Sequence, residues 1–284
     1  MLYRFSQLLT ASILFLILAG GLVTSHQAGL AVPDWPLSYG QLMPPMVGNI
    51  FWEHGHRMIA GTVGILTLIF AIWIQIQEKR KWVKKIGWLA LIAVVLQALL
   101  GGLTVLHLLP DAISMSHAVL AQTFFCLVIL LSFSLGQNFQ TVTVIDETSL
   151  KSLRKLSATT LGFIYLQLIL GAWVRHSGNG IVFHMIGAGL VFIHILLLAS
   201  KIATTHFLNE QLVKAAIGLG VLVCVQILLG LGAWTLTHYA PHSYAPTTIR
   251  VCFTAAHQTT GAMILGLAAY CAFLAWHARM KEWK

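Results

Sequence analysis

The stretch EHGHRMIAGTVGILTLIFAIWIQI (Glu53–Ile76) decides the fold. Its head carries an acid, two histidines and an arginine; a largely apolar run follows, and Lys79, Arg80 and Lys81 close it. An apolar run of about 20 residues is what a helix needs to cross roughly 30 Å of hydrocarbon. The charged head and the basic tail then mark its two water-facing ends.

Working outward, runs of this kind begin near Leu8, Gly55, Ile86, Ser116, Thr159, Val182, Ala215 and Val251. With 58% hydrophobic and 9% charged residues in 284, an ordinary soluble domain is excluded. The expectation is an all-α integral membrane protein of eight transmembrane helices.

Basic residues orient the helices, because loops that carry them stay in the cytoplasm. The inner ends hold Arg4; Lys79, Arg80, Lys81, Lys84 and Lys85; Lys151, Arg154 and Lys155; Lys201 and Lys214; and Arg279, Lys281 and Lys284. Arg57, Arg175 and Arg250 fall at outer ends. Both termini are therefore expected in the cytoplasm. The net charge of +9 is mostly this bias, and its dispersal over short loops argues against nucleic acid. The first helix reads as a span and not a cleaved signal peptide, since its n-region offers only Arg4. No Arg- and Ser-rich leader precedes Leu8, so the expected home is a prokaryotic inner membrane. Cys126, Cys224, Cys252 and Cys271 show no CxxC spacing; Cys126, Cys224 and Cys271 read as buried small hydrophobes, and no structural disulfide is expected.

A polar stretch from Gly136 to Ser157 splits the chain almost in half. Gly20-Gly-Leu-Val23 with Gly29 aligns with Gly171-Ala-Trp-Val174 with Gly180, and GGLTVLH (Gly101–His107) aligns with GAWTLTH (Gly232–His238). The division expected is an N-terminal four-helix bundle over 1–140, a cytoplasmic linker over 141–155 and a C-terminal four-helix bundle over 156–284. Both halves start in-to-out, so the repeat is parallel. Gln97-x-x-x-Gly101, Gln167-x-x-x-Gly171 and Gln226-x-x-x-Gly230 recur, with glycine allowing close approach and glutamine bonding across helices. Long outer loops carry Ala31-Val-Pro-Asp-Trp-Pro36 and Pro241-His-Ser-Tyr-Ala-Pro246. All histidines except His194, His206 and His277 lie in the outward half, which places the chemistry there.

His56, His117, His184 and His257 stand near the starts of helices 2, 4, 6 and 8, each followed four residues later by Ala60, Ala121, Ala188 or Gly261. Residues four apart share a helix face, so each ring has a small neighbour one turn deeper, with room for a flat macrocycle. Neutral imidazole is a good axial ligand for haem iron. The repeat pairs His56 with His117 and His184 with His257. Three residues before these ligands stand Glu53, Ser114, Ile181 and Thr254. A carboxylate in a low-dielectric setting is costly unless used or paired; Glu53 is either a catalytic group or an ion-pair partner of Arg57.

Eight helices, Glu53-x-x-His56-Arg57, His117, His184, His257 and Gly29-Leu-Ala-Val-Pro-Asp-Trp-Pro36 together resemble the haem A synthase family. The resemblance implies oxidation of the C8 methyl of haem O to a formyl group, with oxygen from water. It further implies a b-type haem cofactor between His184 and His257 and substrate haem O between His56 and His117. The acid occurs in the N-terminal half alone, which supports Glu53 as the catalytic residue. It also implies an outward-facing site, supply of haem A to terminal oxidases, a haem O synthase as partner and a homo-oligomer. Many members carry a cysteine pair in the first outer loop, the first at the position of Val32; this chain has none from Val32 to Tyr39, which excludes a disulfide there. Asp34 and Trp35 are expected to shape an outer lid.

Arg57, Arg175 and Arg250 are expected to contact haem propionates, since guanidinium pairs well with carboxylate. His26, His107, His176, His238 and His242 border the outer face, His194 reads as a buried hydrogen-bonding residue, and His54 has no assigned role. Two rival classes fit the same helices: a quinone-linked dihaem electron-transfer cytochrome, which has no use for Glu53, and a haem transporter or chaperone, which holds no permanent cofactor.

Overall fold

The computed structural model describes residues 1–136, 143–144, 147–204, 210–239 and 246–280. His206, Pro241 to Tyr244, Ala245, Asp146, Lys281 and Lys284 lie outside the described residues, and with them the expectations for His242. Eight helices follow in order: α1 (Leu2–Ser25), α2 (Gly48–Gln77), α3 (Lys81–Leu106), α4 (Asp111–Leu135), α5 (Glu147–Ser177), α6 (Ile181–Thr204), α7 (Glu210–His238) and α8 (Thr248–His277). A two-residue strand β1 (Thr143–Val144) runs parallel to β2 (Arg279–Met280). All eight helices are long and apolar enough to cross a membrane.

The helices overrun the apolar segments. α2 starts at Gly48, so Glu53, His54, His56 and Arg57 are all helical. α5 starts at Glu147, which makes residues 147–155 of the expected linker helical. An apolar run marks only the part that must avoid water; polar residues extend a helix freely beyond it.

The membrane character shows in what is left uncovered. On α2, Ile65, Leu68, Ile69, Ile72 and Ile76 are exposed, while Val63, Phe70, Ala71 and Ile74 are buried. In water such a surface drives aggregation; against lipid tails it is at home. Cys224 follows the same logic. It was expected buried and is exposed, on a helix side that presents apolar residues such as Val221 and Leu228. Cys271 is buried, Cys126 half-buried and Cys252 exposed.

The chain divides into two compact units. One comprises residues 1–132 and 228–262, the other residues 133–227 and 263–284. In the first, α1 packs on α2 and α2 on α3. Ile74 fills the space at Gly87 of α3, where a Cβ would sit 3.3 Å from its Cδ1. Ser6 Oγ donates to Ser132 Oγ at 3.1 Å, tying α1 to α4. Ser25 and Thr254 hydroxyls meet at 2.9 Å, and the Gln258 amide lies against Gly21, tying α1 to α8. In the second unit, α5 packs on α6, joined by a turn with Gly178 (φ 73°) and Gly180 (φ 83°) in the left-handed region. The Trp173 ring occupies the place of a Gly180 side chain. Arg154 on α5 donates to the carbonyls of Ala275, Trp276 and Ala278, satisfying orphan groups at the end of α8.

The α2–α3 connection is three residues long and built on one carboxylate. Glu78 Oε1 accepts from Lys79 N, Arg80 N and Arg80 Nε at 2.8, 2.9 and 2.9 Å, and Oε2 from Arg80 Nη2 at 2.8 Å. The Arg80 guanidinium holds the Glu78 carboxyl down to about 2, against an ordinary 4.5. A depressed folded pKa contributes stability above the unfolded value, lost as pH falls toward the folded one. The thermal stability lead of the wild type over Glu78→Gln should thus be constant near neutrality and shrink between pH 4.5 and about 2. A lead unchanged across that window contradicts the assignment.

Candidate functional site

Each of the four candidate histidines lies against a glycine of the preceding helix. A Cβ built on Gly20 of α1 would sit 3.1 Å from Cε1 of His56 on α2. The same distance is 3.2 Å from Gly101 (α3) to His117 (α4), 3.1 Å from Gly171 (α5) to His184 (α6) and 2.8 Å from Gly230 (α7) to His257 (α8). All four rings belong to half-buried residues, as do Ala60, Ala121, Ala188 and Gly261. The glutamine one turn before the glycine holds the histidine's backbone: Gln97 Nε2 donates to His117 O at 2.9 Å and Gln167 Nε2 to His184 O at 2.8 Å. The cross-helix bonding read from the Gln-x-x-x-Gly recurrence is present at these two positions.

Gly20, Gly101 and Gly230 sit with their histidines in the first unit, and Gly171 with His184 in the second. His56 and His117 lie within electrostatic range of each other. His56 Nδ1 is buried with no hydrogen-bond partner among the described residues. No group of three or more His, Cys, Asp or Glu side chains converges among the described residues. Imidazoles without further protein ligands suit an ion that brings its own donors, as haem iron does. The glycine cradles, the small residues one turn deeper and the imidazole donors all fit that group.

Glu53 is 4% exposed and has both oxygens engaged. Oε1 pairs with Arg57 Nη2, and Oε2 accepts the Val32 N–H at 2.7 Å. Arg57 reaches on into the loop between α1 and α2. Its Nη1 donates to Asp34 O at 2.7 Å and Leu37 O at 2.8 Å, and its Nη2 to Val32 O at 3.3 Å. The ion pair weighed from sequence is therefore formed, and it clamps the loop to α2.

The rest of the loop is built to be held. Asp34 carboxylate oxygens accept the N–H groups of Tyr39 and Gly40 at 2.6 and 2.8 Å, and the Gly40 amide above all lowers the Asp34 pKa. Tyr39 OH donates to Ala31 O at 2.6 Å. The Trp35 ring fills the space at Gly102, where a Cβ would lie 2.7 Å from it, next to the Gly101 cradle of His117. Ser38 Oγ and His54 Nδ1 are 2.8 Å apart. Val32 and Ser38 are fully buried.

The other pre-ligand positions differ. Ser114 is buried and its hydroxyl has no partner among the described residues; Thr254 bonds Ser25; Ile181 is half-buried. Arg175 in the last turn of α5 and Arg250 in the first turn of α8 are half-buried. His26 stacks on Trp52 at 4.2 Å, and burial lowers its pKa. His194 is half-buried, not buried as expected, with Nδ1 2.9 Å from Leu190 O and its ring against Phe163; helix α6 turns that face outward. His107 and His238 are exposed and His176 half-buried, with His238 stacked on Trp234.

Sequence reading aligned Gly20 with Gly171 but missed its contact with His56, and it missed Ser38 and the role of His54. Gly20 lacks the glutamine that flags the other three cradles, since Leu16 stands there. Ser38 and His54 meet across 16 residues of loop and helix, a pairing no local pattern encodes.

Residues 46–187, half of the chain, match the cytochrome oxidase assembly protein family. That segment contains Glu53, His56, Arg57, His117, Arg175 and His184. Heme A synthase of Exiguobacterium sp. is 31% identical over 178 residues, covering 61% of this chain and 58% of that protein. Heme A synthase of Symbiobacterium thermophilum is 30% identical over 175 residues, covering 60% and 57%, and that of Lysinibacillus sphaericus 31% over 180 residues, covering 61% and 57%. In each case the match spans less than two thirds of the relative's own length. Eight membrane-length helices, histidines set one turn above small residues and this match lead to one conclusion: the chain is a multi-pass membrane protein of the cytochrome oxidase assembly protein family, to which the haem A synthases belong.

Proposed function

We propose that the chain is a haem A synthase, an oxidoreductase that converts the C8 methyl of haem O to a formyl group. The observation that carries this reading is the acid–histidine arrangement on α2: a buried Glu53 one turn from His56, with His117 within electrostatic range. Haem O is the substrate held by His56 and His117 in the N-terminal bundle (1–140). A haem b cofactor is held by His184 and His257 in the C-terminal bundle (156–284). When bound, it supplies one-electron transfer.

The net change is R–CH3 + H2O → R–CHO + 4 H⁺ + 4 e⁻. Protons must leave a low-dielectric site, and Glu53 is the buried base beside it. Oε1 is engaged by Arg57 and Oε2 by Val32 N–H, and each oxygen has a second lone pair with which to accept a proton. Arg57 holds the loop against α2 beside Glu53. The chain lies in a prokaryotic inner membrane with both termini cytoplasmic and the site toward the outer face, supported by the bias of its basic residues. Arg57, Arg175 and Arg250 are the groups to meet propionates, haem O synthase the partner that delivers substrate, and the assembly a homo-oligomer.

One observation favours the rival dihaem carrier: the Glu53–Arg57 pair gives Glu53 a use without chemistry. Acid–acetone extraction of haem from the purified protein, followed by chromatography and mass analysis, separates the two. Haem B together with haem O or haem A is the expected result. Haem B alone, at two per chain, overturns the synthase reading in favour of the carrier.

A further inference from the structure

Among the helical glycines, some face open space, some meet apolar or amide side chains, and four meet an imidazole. Gly61, Gly64, Gly162, Gly189 and Gly220 have nothing within 4 Å of a built Cβ. Gly20, Gly101, Gly171 and Gly230 each meet an imidazole, and in all four Cε1 is the nearest atom. Glycine weakens a helix interior relative to alanine, and its use at four equivalent places in two separate units calls for a local cause.

The contact has a consistent sense. Cε1 is the carbon between the two ring nitrogens, so a ring that rests on it meets the cradle with the same edge in all four places. At Gly171 and Gly230 the built Cβ is closer to Nδ1 (3.5 and 3.2 Å) than to Nε2 (4.0 and 3.7 Å), and at Gly101 Nδ1 is at 3.7 Å with Nε2 farther still. In these three the Nδ1 edge of the ring is nearer the glycine than Nε2 is. Gly20 differs, with Nε2 at 3.6 Å and Nδ1 at 3.7 Å, so His56 sits nearly symmetrically. Gln97 holds the backbone of His117, whereas Gln167 holds the backbone of His184 and also lies 3.0 Å from its Nδ1, so at His184 glutamine and glycine set the ring together.

We infer that Gly20, Gly101, Gly171 and Gly230 are positioning residues that set the plane and tilt of the four imidazoles, and through them the electronic state of the irons they ligate. This rests on the reading that these histidines hold haem. A methyl at Gly230 lands 2.8 Å from the ring, which forces it to move; at the other three, at 3.1 to 3.2 Å, the ring must give by a few tenths of an ångström. The ring is the mobile partner, so the disturbance goes to the ligand geometry and not to the helix.

The test uses the full chain, purified in detergent, with Gly171→Ala and Gly230→Ala compared with the open-space controls Gly162→Ala and Gly220→Ala on the same helices. Readouts are helical content, low-temperature electron paramagnetic resonance of the low-spin haem, and haem loss to excess apomyoglobin. The expected result is unchanged helicity in all four variants. The two cradle variants shift the low-spin g values and weaken haem retention on the order of tenfold, the usual size for a residue orienting a metal ligand, and the controls match wild type. Wild-type g values and retention in both cradle variants overturn the inference and leave the haem reading intact. Absence of any low-spin bis-histidine signal in the wild type overturns the haem reading and the inference with it. If Gly230→Ala does not fold, Gly171→Ala, the milder intrusion, decides.

Discussion

Glu53→Gln is expected to fold, to keep its haem b and to lose conversion of haem O by on the order of 100-fold or more, the scale of a missing general base. The amide is nearly isosteric and still accepts the Val32 N–H through its oxygen, but it carries neither charge nor basicity. Removing one partner of a buried ion pair commonly costs about 3–5 kcal/mol because the other charge is stranded. Here Arg57 retains the carbonyls of Val32, Asp34 and Leu37, so the stranding is partial and folding should survive. Wild-type haem A output from Glu53→Gln defeats the catalytic role. Loss of folding together with haem returns Glu53 to a purely structural part in the loop clamp. A hydroxymethyl intermediate detected by mass assigns Glu53 to the second oxidation or to dehydration.

His184→Ala or His257→Ala is expected to strip most of the tightly bound haem b, since loss of one axial imidazole weakens the site and removes its low-spin spectrum. The two histidines occupy matched positions on α6 and α8, each lying on the glycine of the helix before it. Haem content and visible spectrum of each variant against wild type give the answer. Unchanged values in both variants remove these residues from the cofactor site, and a loss in only one breaks the pairing.

The eight helices were legible because a bilayer imposes a length and a composition that leave few alternatives. The four histidines stand out in sequence because each begins such a run, and the structure lays each against a glycine of the preceding helix. Their ends were less so: the 18 residues or so that face lipid announce themselves, but α2 and α5 continue into polar sequence that reads locally as loop. The cradles were half visible. Gln-x-x-x-Gly marked three of them as packing sites, yet which side chain enters depends on the rotation of the neighbouring helix, and Gly20 carries no such mark. The fate of Glu53 was open between two uses that one sequence spacing permits. Only the fold of residues 31–40 reveals that Glu53, His54 and Arg57 grip one loop from within little more than one turn of α2. Exposure was misjudged for Cys224 and His194, because inside a bilayer an apolar or aromatic-backed side chain has no reason to prefer the core over lipid.

Haem A formation is the direct test of the central claim. Membranes from a host that makes haem O but lacks its own haem A enzyme, carrying this chain as the sole addition, should yield haem A on extraction. Haem O left unconverted, with the chain present, folded and loaded with haem b, contradicts the account.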